Sequence, residues 1–344
     1  MKPCGWVVGF VCVLAATRGA FALETDQFTP PPRPLVDLSD EFEVRMRQAL
    51  LETVERANRE YSDHIGRAST TRLRFVRATR LKKAQQWLGE RHVVKAAYAA
   101  TVFSGYPQCE MELWARAGKF DRQPARFDPT PDQSVFGKSS RPITVQMMSP
   151  TINLYGVYLG TDKLGHFFQQ GYEYFEEYAE EMRRSGEEGE AVRRAIRKGV
   201  GQENGIYGTF IDGVYSNADL AANYAGFKFY LNLTRPIVVG GKECPAMLVL
   251  VDEQWRVNPE LPAGFMRPFI TDHLNEARNP SKYSKPLRPV IQKNVGVRLE
   301  QWMRFYGSTI EREAGWLRDV GTWHGESYGH SGFGQLVTLA NVGK

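Results

Sequence analysis

Beyond its first 22 residues the chain has only two cysteines, Cys109 and Cys244, and they are far apart. Neither belongs to a Cys-x-x-Cys pair, which excludes thioredoxin-like redox chemistry and zinc-finger spacing. No Gly-x-Ser-x-Gly elbow or Cys–His signature supports a covalent nucleophile, and no His-x-x-x-His or Glu-x-x-His pair announces a metal site. Solenoid-period repeats and low-complexity tracts are lacking, apart from one proline cluster. Past the N-terminal segment, the longest apolar run is Ala246 to Val251, well short of the roughly 18–20 residues a membrane span requires. Arg67 to Lys83 has no acidic residue at all, although it carries Arg67, Arg72, Arg74, Arg77, Arg80, Lys82 and Lys83.

The N-terminus supplies a compartment. Lys2, the apolar run Gly5 to Ala16 and Ala20-Phe21-Ala22 match a secretory signal peptide, with cleavage expected after Ala22. Bulky Val11 stands before Cys12 where a lipidation site needs a small residue. The expected product is a periplasmic chain, 23–344, forming a single mainly α-helical, bundle-like domain. In an oxidising compartment the natural expectation for Cys109 and Cys244 is a disulfide; separately buried thiols are the alternative. The net charge of +5 is too small to imply nucleic acid, and export argues against that partner as well. The basic stretch Arg67–Lys83 reads either as a surface for anionic lipid or acidic glycan, or as a solvated helix face paired with acids elsewhere.

Along the chain, Thr29-Pro-Pro-Pro-Arg-Pro34 predicts an extended N-terminal strap over 23–38, lying on the surface. Ser39 opens a helix whose Phe42, Met46, Ala49, Leu50, Val54 and Ala57 recur at helical spacing. Short β segments are expected near 152–159 and 236–251, and a long loop over Lys119 to Pro150. A basic amphipathic helix, Glu190 to Gly201, should turn Val192, Ile196 and Val200 inward.

The chain is organised around residues 159–231. Thr161 is a good N-cap for a helix that places Asp162 and His166 four residues apart on one face. Gln169, Gln170, Glu173 and Glu177 continue the polar stripe, opposite Leu164, Phe168, Phe175, Tyr178 and Met182. Glu203 sits where a second helix breaks into Gly205. Ser216-Asn-Ala-Asp219 resembles a capping box, and the helix it opens puts Asp219 and Asn223 on one face. These residues predict a polar centre of Asp162, His166, Glu203 and Asp219, lined by Tyr207, Ser216 and Asn223. His166 should lie about 2.6–3.2 Å from at least one of the acids.

Three readings of this centre stand side by side. Histidine and carboxylates suit a divalent metal. Without a metal, a carboxylate orients His166 as general base while Glu203 or Asp219 serves as an acid of raised pKa. Alternatively, the acids only cap helices and are neutralised by Lys163 and arginines. Asp272-His-Leu-Asn-Glu276 reads as a surface helix start capped by Thr271. His324 and His330 lie in a glycine-rich stretch able to fold over the centre.

Asp162-Lys163-x-x-His166-Phe167, the downstream Glu203 and Ser216-x-x-Asp219-Leu220-x-Ala222-Asn223-x-x-Gly226 resemble a pattern in the VanZ-like and YfiM-like bacterial envelope proteins. The resemblance covers about residues 159–231. It implies a helical core around an acid/His cluster, without the transmembrane helices of the VanZ-like case. Together these features point to a cell-envelope hydrolase acting on a lipid or glycan component, or to a non-catalytic protein whose polar network holds helices together.

Overall fold

The computed structural model describes residues 25–102, 109–130, 132–137, 148–205, 213–332 and 335–342. The expected signal segment 1–22 and Tyr207 lie outside them. The fold is mainly α, with helices α1 (Ser39–Ser69), α2 (Arg74–Gln85), α3 (Glu90–Val102), α4 (Glu110–Ala117), α5 (Asp162–Gly165), α6 (Gly171–Ser185), α7 (Glu188–Asn204), α8 (Asn217–Asn232), α9 (Arg288–Tyr306) and α10 (Ile310–Asp319). A π-helical segment, His166–Gln170, joins α5 to α6.

The strands form antiparallel pairs only: β1 (Thr151–Leu154) with β2 (Val157–Gly160), β4 (Ile237–Val239) with β5 (Lys242–Cys244), and β6 (Leu248–Val251) with β7 (Gln254–Val257). β3 (Val214–Tyr215) pairs with the distant β8 (Lys282–Tyr283). The expected β segments are thus hairpins, the first delivering the chain straight into α5. All six of the apolar positions expected to face inward on α1 are buried.

α8 is the central helix. Every residue except Lys228 is buried, so it shows no amphipathic stripe, as a helix enclosed on all sides should not. Leu220, Phe227 and Phe229 are wholly inaccessible, and each such side chain contributes about 1.5–3 kcal/mol by leaving water. α6 and the π segment cross α8 at Gly171 and Gly226. A Cβ on Gly226 would lie 1.9 Å from the Phe167 carbonyl oxygen, and one on Gly171 would lie 2.7 Å from the Gly226 backbone. The two helices therefore touch backbone to backbone, one turn from His166 and Asn223.

α7 also approaches α6 closely, here against the Tyr174 side chain rather than backbone. Its buried stripe is Ala191, Ala195, Gly199 and Glu203, with Val192, Ile196 and Val200 half-buried at its edge. The buried face is rotated from the one expected because small residues permit close approach: a Cβ on Gly199 would collide with Tyr174. That rotation carries Glu203 inward at the helix end.

Two other expectations change. The N-terminal strap is not a surface feature: Thr25 to Pro31 are buried and only Pro32–Pro34 are exposed. Polar side chains anchor it, with Asp26 accepting from Thr29 and from the Val135 backbone, while the Gln27 carbonyl accepts from the Trp302 indole at 3.0 Å. The cysteines are free and separately buried. Cys109 Sγ points to the Thr101 and Leu164 carbonyls at 3.6 and 3.8 Å, whereas Cys244 Sγ faces Lys242 O at 3.9 Å on the β4–β5 hairpin. Burial pushes the Cys109 thiol up to about 12, which leaves it inert.

Two measurements follow from this packing. Thiol titration of the denatured, unreduced chain 23–344 should return both Cys109 and Cys244 as free thiols, and a result of none would restore the disulfide. Gly226→Ala should destabilise by about 1–3 kcal/mol or more, because backbone atoms cannot make room. Gly201→Ala, on α7 with open space around it, should instead stabilise by about 0.5–1 kcal/mol. Equal effects of the two substitutions on Tm would show that the crossing is loose.

Candidate active site

Lys163 is the centre of the polar cluster. Its side chain has no solvent exposure, and its ammonium lies 2.6 Å from Asp162 Oδ2, 2.5 Å from Asp219 Oδ1 and 2.6 Å from Glu276 Oε1. α5 supplies Asp162 and Lys163, α8 supplies Asp219, and Glu276 comes from the segment after the short 3₁₀ turn Asp272–Leu274. An ammonium without water needs several acceptors, and three carboxylates provide them.

Each acid is held in turn. Thr25 of the strap donates to Asp162 Oδ1. Ser216 caps α8 by accepting from the Asp219 N–H at 3.0 Å, and its hydroxyl donates to Glu276 Oε1 at 2.8 Å. Ser281 donates to Glu276 Oε2 at 2.7 Å, and Gln27 accepts from the Glu276 N–H at 2.9 Å. Glu203 Oε1 accepts from the Ser216 N–H at 2.8 Å.

His166 begins the π segment. Its Nδ1 lies 3.1 Å from Asn223 Oδ1. With that oxygen accepting, Nδ1 is the donor of this contact, and Nε2 is the ring nitrogen turned towards Asp219. Nε2 is 3.2 Å from Asp219 Oδ2, within the expected reach, but off the line of a hydrogen bond, so this buried nitrogen has no completed partner. The buried Tyr174 hydroxyl lies beside Asn223 and Glu203. The π segment displaces the polar stripe: Asp162 and His166 are buried, while Gln169, Gln170, Glu173 and Glu177 lie half-exposed. Single π turns often occur where a helix presents a functional side chain.

Asp162, His166, Asp219, Glu203, Ser216 and Asn223 are therefore brought together. Thr161 is not the expected cap: its backbone is already helical and its hydroxyl is buried without a partner. Thr271 likewise caps nothing, its hydroxyl contacting His273 Nδ1 at 3.1 Å. The stretch 272–276 is not a surface helix, since His273 and Glu276 are both buried. Lys163 and Glu276 were not anticipated as site residues. Nor was Glu112, a half-buried α4 carboxylate whose Oε2 would lie 2.6 Å from a Cβ on Gly165. Tyr328 to Ser331 pack against α7 and α8, with Ser331 N–H donating to Asn217. His324 instead abuts Gly240, so it is no lid over the cluster.

Electrostatics sorts the acids. Burial raises Glu203 well above the ordinary glutamate range, Asp219 adding to it against the Ser216 N–H and Lys163. Burial also raises Glu276, opposed by Lys163. Burial works against the charge on Asp219, but His166, Lys163 and Ser216 together hold it below the usual carboxylate range. Burial, then Asp162, brings Glu112 up to about 7. The cluster thus pairs an aspartate whose pKa is pushed down with a glutamate whose pKa is pushed up.

One ligand atom each from Asp162, His166 and Asp219 lie within 4.8 Å of one another, a spacing that could hold a metal ion. However, Lys163 already takes an oxygen of both aspartates. A divalent cation would have to share a water-poor site with that ammonium, so the donor set fits the lysine and not a metal.

No family model matches the sequence, and no curated protein or solved structure proved similar to it.

The acids make stability depend on pH in two windows. Glu203 and Glu276 have raised folded-state pKa values, so their contribution is full below about 4.5 and is lost as pH rises through those values. Asp219 has the opposite sign, its contribution being present above 3.8 and lost as pH falls through its lowered value. Tm should therefore decline as pH rises from 4.5. Glu203→Gln, which fixes the neutral form, should flatten part of that decline, the remainder belonging to Glu276. A variant whose Tm–pH curve stays parallel to that of the wild type would contradict the assignment.

Proposed function

We propose that the chain is an exported, periplasmic cell-envelope hydrolase that uses the His166 centre for acid–base attack on a lipid or glycan component. The observation that carries this reading is the buried, unpartnered Nε2 of His166, aimed beside Asp219 and fixed from behind by Asn223. Helix packing alone has no need of such a centre, because an apolar core would hold these helices at least as well as a buried ion network. Environments that push the pKa values of neighbouring acids apart are characteristic of acid–base sites. In this reading Nε2 takes a proton from water, whose oxygen attacks the substrate, and Glu203 passes its proton to the leaving oxygen. Return of the proton from His166 to Glu203 resets the pair. Lys163 helps to hold Asp219 as the anion, and Asp219 stabilises the imidazolium. Tyr207, Ser216 and Asn223 are the expected lining. The basic face Arg67–Lys83 meets anionic envelope groups.

A second reading is favoured by one observation, the saturation of Lys163 by three carboxylates at zero exposure. In it the cluster is a non-catalytic lock between α5, α8 and the 272–276 segment. One experiment separates the two. The chain is assayed against envelope lipid and glycan extracts and a panel of nitrophenyl esters and glycosides, and His166→Ala is compared in activity and melting temperature. A catalytic His166 predicts at least about a hundredfold loss of turnover with little change in Tm. Absence of turnover on every substrate, with Tm lowered by several degrees in His166→Ala, would establish the lock.

A further inference from the structure

The α1–α2 hairpin carries the basic stretch, and its tip has a composition the cluster does not explain. Arg67, Arg72, Arg74, Arg77, Arg80, Lys82 and Lys83 are all exposed, and among the described residues none forms an ion pair. Arg80 donates to the Thr71 hydroxyl at 3.0 Å. The alternative of a face neutralised by acids elsewhere is therefore not what the fold builds. Among these cations stand Leu73 and Phe75, 70% and 83% exposed, at the start of α2. Only Ala84 of α2 is buried, while Val76 and Leu81 are half-buried. With about 100° per residue, Phe75 and Lys82 project to the side opposite Ala84.

Behind the tip, Trp87 is stacked between His64 of α1 and His92 of α3, with ring centroids 4.0 and 4.4 Å apart. The hairpin is thus braced where it joins the body, and its apolar end projects away.

We propose that the α1–α2 tip is a membrane-docking device that inserts Leu73 and Phe75 into the interface of an anionic lipid bilayer, while the surrounding arginines and lysines engage the headgroups. The inference rests on the basic-surface part of the reading above and is independent of catalysis. Charge complementarity selects an anionic partner, and the protruding Leu73 and Phe75 select a bilayer over an acidic glycan. A polyanionic sugar would satisfy the cations but leave two apolar side chains in water, whereas a bilayer takes up both.

The test is sedimentation of the exported chain, its N-terminus established by sequencing, with vesicles of phosphatidylcholine alone or mixed with phosphatidylglycerol. Binding should require the anionic lipid and weaken strongly at about 1 M salt, where screening acts within about 3 Å. Phe75→Ser and Leu73→Ser should each lower partitioning about tenfold. Each of Arg72→Gln, Arg74→Gln and Arg77→Gln should lower it about fivefold. His166→Ala should bind as the wild type does, so failure of the hydrolytic reading leaves this one standing. A nitroxide on Phe75→Cys should become more accessible to oxygen and less to a water-soluble relaxant when anionic vesicles are added. One on Val297→Cys, exposed on α9, should not change. Vesicle binding unaffected by Leu73→Ser and Phe75→Ser, an unchanged nitroxide signal at position 75, or binding to soluble heparin without binding to vesicles would each overturn the proposal.

Discussion

The buried polar cluster is arranged around one ammonium group. Lys163 can be buried without solvent only because Asp162, Asp219 and Glu276 surround it, and removal of any of them would take away one of the acceptors that offset the cost of burying its ammonium. The three acids come from separate parts of the chain, so their meeting at one point ties α5, α8 and the 272–276 segment together. Thr25 and Gln27 extend the tie to the N-terminal strap through Asp162 and Glu276.

That convergence needs helices closer together than large side chains allow. Gly171 against Gly226, and Gly199 beneath Tyr174, remove the Cβ atoms that would hold α6, α7 and α8 apart. The short spacing lets Asn223 reach His166, and the Ala191–Ala195–Gly199 stripe brings Glu203 to the Ser216 N–H. The glycines therefore act on the site through distance. The π segment adds a local rotation at His166, so that the histidine turns inward while the glutamines after it face outward.

The chemistry of the centre follows from burial acting unequally on like groups. Against its burial, His166, Lys163 and the Ser216 hydroxyl hold Asp219 below the usual carboxylate range. Burial and then the field of Asp219 push Glu203 up, against the Ser216 N–H and Lys163. An acid pushed down, an acid pushed up and an imidazole nitrogen with no completed hydrogen bond then lie within one cluster. At the other extreme of exposure, the cations of the α1–α2 tip form no ion pair among the described residues.

The amino-acid sequence alone determined what depends on near neighbours. The inward face of α1, the β1–β2 hairpin, the Ser216 cap and the shared face of Asp219 and Asn223 on α8 follow from periodicity and short-range hydrogen bonding. So does the grouping of Asp162 with His166, which one helical turn places together. Tertiary structure alone decided what depends on partners far along the chain. Lys163 was legible only as a neutralising charge, because its acceptor Asp219 lies 56 residues away and Glu276 further still. Glu276 reads locally as part of a solvent-facing helix start, and Thr25 and Gln27 as part of a surface strap, until the fold closes over them. Thr161 has the composition of a cap, but its hydroxyl is buried and its backbone is already helical. The two cysteines invite a disulfide by compartment, yet each thiol is enclosed among its own neighbours. Local signals act over a turn of helix, whereas the pairing of buried charges is settled only when distant segments lose their water together.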